Sequence, residues 1–331
     1  MTTINRRTFL RRALSSGMSG AAILTAGKQA LAAPSAIGTV GTMIDLTRCD
    51  GCSKEKTPQC VAACRQKNAS RYPEPQHPIQ DYWPQKKHED WSDKRQVTNR
   101  LTPYNWTYVQ KVSVEDQGTQ RDVFVPRRCM HCDNPPCADI CPFSAQTKSP
   151  EGPVTIDPDL CFGGAKCTAV CPWGIPARQA GVGLYLKLMP TFAGGGVMYK
   201  CDLCLDRLRQ GQAPACVEAC PQKAITIGSK EDMRASAYAR AQEIGGYVYG
   251  DKENGGTSTF YVSSVPFENI HKAMLSQAVD GKPGRPAMPV GVGNAMDKAN
   301  GLATGVLLAP VAGMIVAGVT AYKTMKGGQQ E

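Results

Sequence analysis

Fifteen cysteines fall into four short bunches, and any fold must gather those thiols into a few places. The groups are Cys49, Cys52, Cys60 and Cys64; Cys129, Cys132, Cys137 and Cys141; Cys161, Cys167 and Cys171; and Cys201, Cys204, Cys216 and Cys220. The count is odd, and 331 residues are enough to build a real core, so a disulfide framework of the small secreted kind fits poorly. Bunching at short spacing points to metal. Each complete group opens with C-x-x-C and closes with C-x-x-x-C. Seven, four and eleven residues separate the two halves in the first, second and fourth groups. In three groups the last cysteine precedes proline, at Pro142, Pro172 and Pro221.

Short β-like runs accompany the groups: Met43-Ile44-Asp45-Leu46, Val123-Phe124-Val125 and Val154-Thr155-Ile156 before them, and Ala224-Ile225-Thr226-Ile227 after the fourth. The repeated unit is strand, cysteine loop and turn, as in two-cluster ferredoxins. Three cysteines close in sequence wrap three corners of a cubane, and the fourth, before proline, ligates the other cluster. Four motifs therefore predict four clusters. Zinc also takes C-x-x-C knuckles, but the three Cys-Pro endings favour iron and sulfide. No C-x-x-C-His is present, so covalent haem is not indicated.

The third group lacks one member. Spacing of C-x-x-C-x-x-C would put cysteines at 161, 164 and 167, and position 164 is glycine. Glycine cannot ligate, so one iron corner loses its thiolate. The expectation is a [3Fe-4S] cluster held by Cys161, Cys167 and Cys141; the alternative is an incompletely ligated [4Fe-4S] cluster whose last iron takes water, hydroxide or a nearby side chain. Losing a thiolate removes negative charge and raises the potential of that site.

Both ends read as addresses. Asn5-Arg6-Arg7-Thr8-Phe9-Leu10-Arg11 precedes a modestly apolar stretch, and Ala30-Leu31-Ala32 offers small residues for cleavage after Ala32. Residues 1–32 are thus expected to be a twin-arginine signal, a route that carries folded proteins. Thiolate clusters are built in a reducing cytoplasm, whereas bare thiols exported unfolded would oxidise. At the other end, 302–322 carries no charge. At ~1.5 Å per residue it spans about the hydrocarbon thickness of a bilayer. Lys323 and Lys326 follow and suit a cytoplasmic tail over 323–331. The expected location is the periplasmic side of the cytoplasmic membrane, with one C-terminal anchor. The formal charge is +10, yet five of the positive residues lie in 1–32; without them 33 basic residues face 28 acidic ones. No Lys/Arg tract with interleaved aromatics points to nucleic acid.

Taken with both ends, the four motifs resemble the iron–sulfur subunits of exported, membrane-bound redox complexes. These include membrane hydrogenases, formate dehydrogenases and dimethyl-sulfoxide-reductase-type enzymes. Within that set the chain is most similar to the hydrogenase-2-type iron–sulfur subunit. The carrying stretches are Arg128-Cys129-Met130-His131-Cys132 with Pro136-Cys137, Leu101-Thr102-Pro103-Tyr104, the run from Tyr249-Gly250-Asp251 to Gly255-Gly256-Thr257, and Val265-Pro266-Phe267-Glu268-Asn269. The resemblance implies a pairing: Cys49, Cys52 and Cys60 with Cys220; Cys201, Cys204 and Cys216 with Cys64; Cys129, Cys132 and Cys137 with Cys171. Two departures stand out, Gly164 and a seven-residue spacer before Cys60 where the family often has two.

The fold class expected is α+β: a tandem bacterial-ferredoxin-like domain with four cysteine motifs, a small C-terminal extension and one transmembrane helix. Residues 40–230 form the double iron–sulfur domain, with an aromatic-rich insertion over 66–122 and a second cluster pair inserted at 125–180. Residues 231–275 read as a small α/β extension, with a helix over 230–244 and a strand near Phe260-Tyr261-Val262, followed by a linker over 276–301. The insertion's aromatics are expected to cover the clusters and pack locally, the other reading being a docking surface. His131 is expected to pack or hydrogen-bond beside a cluster. No nucleophile–base set, phosphate loop or carboxylate pair stands out, so the chain is not read as catalytic alone. The expected role is electron relay through three [4Fe-4S] clusters and one [3Fe-4S] cluster. The partners implied by the resemblance are a catalytic hydrogenase subunit, or a formate dehydrogenase alpha subunit, and an integral membrane quinone-reactive subunit. A zinc-bound interaction protein and a self-contained iron–sulfur enzyme are the rival readings.

Overall fold

The computed structural model describes residues 38–83, 86–116, 118–188, 190, 195–276 and 284–297. The expected signal, the membrane helix, the tail and part of the linker lie outside the described residues. Among the described residues no helix is long and apolar enough to cross a membrane.

In chain order the elements are β1 (Val40–Asp45), α1 (Gln59–Asn68), β2 (Tyr108–Asp116), β3 (Thr119–Arg127), α2 (Pro136–Asp139), β4 (Gln146–Lys148), β5 (Val154–Ile156), α3 (Lys166–Val170), β6 (Ala177–Gln179), α4 (Tyr185–Leu188), β7 (Val197–Tyr199), α5 (Leu205–Leu208), α6 (Ala215–Glu218), β8 (Ile225–Ser229), α7 (Lys230–Ile244), β9 (Tyr247–Tyr249), β10 (Thr259–Ser263) and α8 (Phe267–Ser276). Most are short, because the cysteine loops interrupt the chain before longer elements can form.

Strand pairing links the groups to one another. β1 leads into the first group and pairs antiparallel with β8, which leaves the fourth. β4 leaves the second group and pairs antiparallel with β5, which enters the third. β6 leaves the third and pairs with β7, which enters the fourth. The loops at the ends of each pair are thereby brought side by side, although up to 171 residues separate them in sequence. The runs read as strands from their β-branched content all lie in or overlap these elements.

The 230–244 helix forms as expected, and its ends explain why. Ser229 Oγ accepts the Asp232 N–H at 3.0 Å, a side-chain N-cap. Glu231 and Asp232 sit in the first turn, where the helix dipole favours them. Gly245 closes the helix at φ 61°. The strand that follows departs from the picture of an appended extension. β10 lies within the main sheet, whose order is β8-β1-β10-β9, and pairs parallel with β1. Every residue of β10 is buried, so its Thr-Phe-Tyr-Val-Ser run is a central strand. Residues 284–297, read as part of a linker, lie against the body. Gly284 C=O accepts from Leu101 N–H at 2.7 Å, Val292 C=O accepts from Asn254 N–H at 2.6 Å, and Met288 is fully buried. Its Pro and Gly content keeps this strap irregular, while its backbone groups are satisfied by the body.

The aromatic insertion packs inward as expected. Tyr72, Tyr104 and Trp106 meet edge to face, Trp106 stacks on Tyr199, and Arg71 lies 4.8 Å over the Trp106 ring. Trp83 is the exposed exception.

Gly250 shows how closely two backbones approach. Its φ is +104°, and a Cβ there would lie 2.1 Å from Thr259 O and 3.1 Å from Met130 Cε. Gly250→Ala should therefore lower stability by about 1–3 kcal/mol. Gly293→Ala, where a Cβ meets nothing within 4 Å, should stay within about 0.5 kcal/mol of the parent. Thermal unfolding of the two variants checks both.

Candidate functional site

All four cysteine groups use one local design. The last cysteine but one of each group is always the second residue of a helix: Cys60 in α1, Cys137 in α2, Cys167 in α3 and Cys216 in α6. First-turn N–H groups have no intrahelical acceptor, so they leave donors near the sulfur. Proline precedes the helix at Pro58, Pro135 and Pro214. In the second, third and fourth groups a tight turn follows the last cysteine. The N–H of Ser144, Gly174 and Lys223 donates to the carbonyl of Cys141, Cys171 and Cys220 at 3.3, 2.9 and 3.1 Å. Each of those three donors has positive φ, at 53°, 58° and 49°. The turn sends the chain directly into β4, β6 or β8. In the first group Arg65, not proline, follows the last cysteine, so Cys64 stays inside α1, which continues to Asn68.

The C-x-x-C turn also repeats. The residue before the second cysteine has positive φ at Gly51 (67°), His131 (52°) and Leu203 (55°). Gly163 has the same sign and size, 67°. Position 164 therefore stands where the other loops place their second cysteine. Gly164 is exposed, and a Cβ there would meet nothing within 4 Å. The backbone of a cluster loop persists although the ligand is missing.

The fourth cysteine of one group meets the first three of another. Cys49, Cys52, Cys60 and Cys220 line one hollow, closed by Val109, Pro126 and Ile225. Cys129, Cys132, Cys137 and Cys171 line a second, with Val154, Trp173 and Lys200. Cys64 has Cys201, Cys204 and Cys216 as neighbours. Cys161 and Cys167 face each other and Cys141. Among the described residues no three of His, Cys, Asp and Glu converge on a point that one ion could occupy. The sulfurs instead surround hollows, and all fifteen cysteines are free of disulfides.

The donor set fits a thiolate-held cluster. Burial pushes the thiols of Cys49 and Cys204 up to about 11, and those of Cys167 and Cys201 up to about 12. Burial raises Cys60, Cys64, Cys132 and Cys137 as well. Such thiols keep their protons at neutral pH unless a metal cation takes the proton's place. Hydrogen-bond donors are already aimed at sulfur. Backbone N–H groups of Leu203, Ala224 and Met198 reach the Sγ of Cys201, Cys220 and Cys161 at 3.3, 3.3 and 3.4 Å. Asn68 Nδ2 reaches Cys64 Sγ at 3.6 Å. Donors of this kind stabilise negative charge on sulfur and tune the potential of a bound cluster.

His131 is fully buried, and its Nδ1 accepts the Val154 N–H at 3.0 Å. Burial, with Lys200, Arg128 and Lys148 nearby, holds its pKa well below the usual histidine range, so the ring is neutral. Sequence reasoning passed over Lys200. The available signal was position: Arg48, Arg128 and Lys200 each directly precede the first cysteine of a group.

Comparison with known proteins matches these observations. The chain matches a 4Fe-4S dicluster domain over residues 48–145 and a second 4Fe-4S dicluster domain over residues 120–230. A protein of Nitratidesulfovibrio vulgaris is 34% identical over 272 residues, 80% of this chain and 65% of the relative. The chain thus spans just under two thirds of that relative's length. The hydrogenase-2 operon protein HybA of Escherichia coli O157:H7 is 29% identical over 315 residues, 84% of this chain and 86% of the relative. The formate dehydrogenase-O iron-sulfur subunit of Escherichia coli K12 is 30% identical over 240 residues, 67% of this chain and 66% of the relative. The chain belongs to the 4Fe-4S dicluster proteins and is similar to hydrogenase-2 operon protein HybA and to formate dehydrogenase iron-sulfur subunits.

Proposed function

We propose that this chain relays electrons through three [4Fe-4S] clusters and one [3Fe-4S] cluster. The relay joins a periplasmic catalytic subunit, a [NiFe] hydrogenase in the first instance, to a quinone-reactive subunit in the membrane. The observation that carries the reading is the exchange of the fourth cysteine between groups, which turns one chain into four neighbouring thiolate sets. HybA, related over most of its length, supports the hydrogenase side. The formate dehydrogenase-O relative supports the alternative, the beta subunit of a formate dehydrogenase or related molybdenum or tungsten enzyme. Arg6-Arg7 supports export by the twin-arginine route, and the uncharged run 302–322 supports a single-pass anchor.

A bound cluster supplies reversible one-electron chemistry. The chain's own residues do the rest. The ligand sets proposed are Cys49, Cys52, Cys60 and Cys220; Cys64, Cys201, Cys204 and Cys216; Cys129, Cys132, Cys137 and Cys171; and Cys141, Cys161 and Cys167. Val109, Pro126 and Ile225 give the first set an apolar wall. Trp173 and Ile175 do the same for the third. The N–H donors to sulfur hold charge on the thiolates and fix their direction. At Gly164 the fourth corner lies open to solvent, which favours the three-iron form.

Three outcomes test this reading. In the anaerobically purified complex, H2 alone should bleach the cluster absorbance, whereas bleaching by formate alone would move the chain to the alternative enzyme. Cys220→Ser should alter the cluster held by Cys49, Cys52 and Cys60 and leave that of Cys201, Cys204 and Cys216 intact. Electron paramagnetic resonance distinguishes the two, and damage confined to the fourth group's cluster would refute the exchange. Gly164→Cys should convert the three-iron signal of the oxidised protein into a fourth [4Fe-4S] cluster, raising iron content by about one atom per chain.

A further inference from the structure

Three basic side chains are buried between two of the cysteine sets. Arg128 is 1% exposed, His131 0% and Lys200 6%. Arg128 and Lys200 directly precede Cys129 and Cys201, and His131 lies inside the C-x-x-C turn of the second group. β5 ties two of them together at a single residue. Val154 N–H donates to His131 Nδ1 at 3.0 Å, and Val154 C=O accepts from Lys200 Nζ. Because Nδ1 accepts, the proton of the neutral ring sits on Nε2, assigned from this hydrogen bond. Nε2 lies 3.7 Å from Cys201 Sγ, within reach of an N–H to sulfur bond.

The two cations have no carboxylate of their own. Arg128 donates to Thr42 Oγ1 at 2.6 Å and to Cys129 O at 3.4 Å, and its Nε has no acceptor. Lys200 Nζ reaches only the carbonyls of Val154 and Cys201. Among the described residues neither forms an ion pair. The nearby acids are engaged elsewhere: Asp202 with Arg71, and Asp133 with Lys148 and Lys230. Beside the cations lie cysteine sulfurs, Cys201 and Cys216 for Arg128 and Cys129 and Cys137 for Lys200; Asp202 also acts on Lys200, but its carboxylate is paired with Arg71.

Burying a cation without a partner is unfavourable, and two around one buried histidine more so. Their presence is accounted for if the space beside them holds negative charge. We propose that Arg128, Lys200 and the Nε2–H of His131 form a shared positive wedge between the site of Cys129, Cys132, Cys137 and Cys171 and the site of Cys64, Cys201, Cys204 and Cys216. The wedge raises the reduction potentials of both sites and makes them the step that joins the two cluster pairs. The inference rests on the reading that these cysteines hold clusters. Each transfer moves one electron: the donor cluster is oxidised, its neighbour is reduced, and no proton or third reactant is required. The added negative charge is offset by fixed cations, whose effect is strong because the region is dry. An N–H directed at sulfur acts in the same sense.

The test is a potentiometric titration of the anaerobically purified native complex, followed by electron paramagnetic resonance, with iron assayed in every sample. Arg128→Gln should shift the reduced-to-oxidised ratio of these two clusters about tenfold toward oxidised at fixed potential, which is 59 mV for one electron. Arg128→Lys, which keeps the charge, should stay within about twofold of the parent. Lys200→Met should shift the Cys129 site in the same direction. The cluster of Cys49, Cys52, Cys60 and Cys220 should not move in any variant. Unchanged ratios in Arg128→Gln and Lys200→Met at full iron content overturn the wedge. Iron loss in the neutral variants but not in Arg128→Lys supports it, because charge alone separates them; equal loss in Arg128→Lys overturns it. If the unmutated protein yields no distinct clusters at these two sites, the cluster reading fails and not the wedge alone.

Discussion

The structure depends on bringing cysteine sulfurs from distant groups to the same buried hollows. Cys49 and Cys220 belong to opposite ends of the ferredoxin-like region, yet they line one space. β1 and β8 achieve this by pairing across nearly the whole of that region. The secondary structure between the groups is short, and many of the largest buried side chains are polar or aromatic. A chain built this way has few long elements to hold it together. Thiolate–metal bonds between remote segments are then a substantial part of what fixes the native arrangement.

Negative charge is the second constraint. A thiolate cluster is an anion, and each electron it receives makes it more so. The protein answers with N–H groups aimed at sulfur and with cations placed by sequence position. The residue before a group's first cysteine is basic in three of four groups, but the structural outcomes differ. Arg48, itself exposed, reaches the buried carboxylate of Asp45, whereas Arg128 and Lys200 are buried without acids. The same local slot therefore serves an ion pair in one loop and an inter-site wedge in two others.

Much of this was legible in the sequence because cysteine spacing encodes geometry directly. C-x-x-x-C places the third and fourth cysteines one helical turn apart, and Cys-Pro ends that turn. Gly164 was legible as a gap for the same reason. Gly163, with the positive φ of its counterparts, retains the loop that the missing ligand would complete. What the sequence concealed were tertiary pairings. Nothing local in Thr259–Ser263 marks it as the neighbour of β1, since a strand buried on both faces lacks the alternation that assigns a face. The strap over 284–297 was equally hidden, because a Pro/Gly composition describes how a segment fails to form helix or strand and not what it binds. The burial of Lys200 was invisible too, since lysine's usual place is the surface.

Fifteen cysteines holding four clusters would fix the metal content of the chain. Iron, zinc and acid-labile sulfide measured per chain, on anaerobically purified protein, test it most directly. Three four-iron clusters and one three-iron cluster require about fifteen irons with a near-matching amount of sulfide and no zinc. About two to four zincs without iron, or about eight irons from two clusters alone, would contradict it.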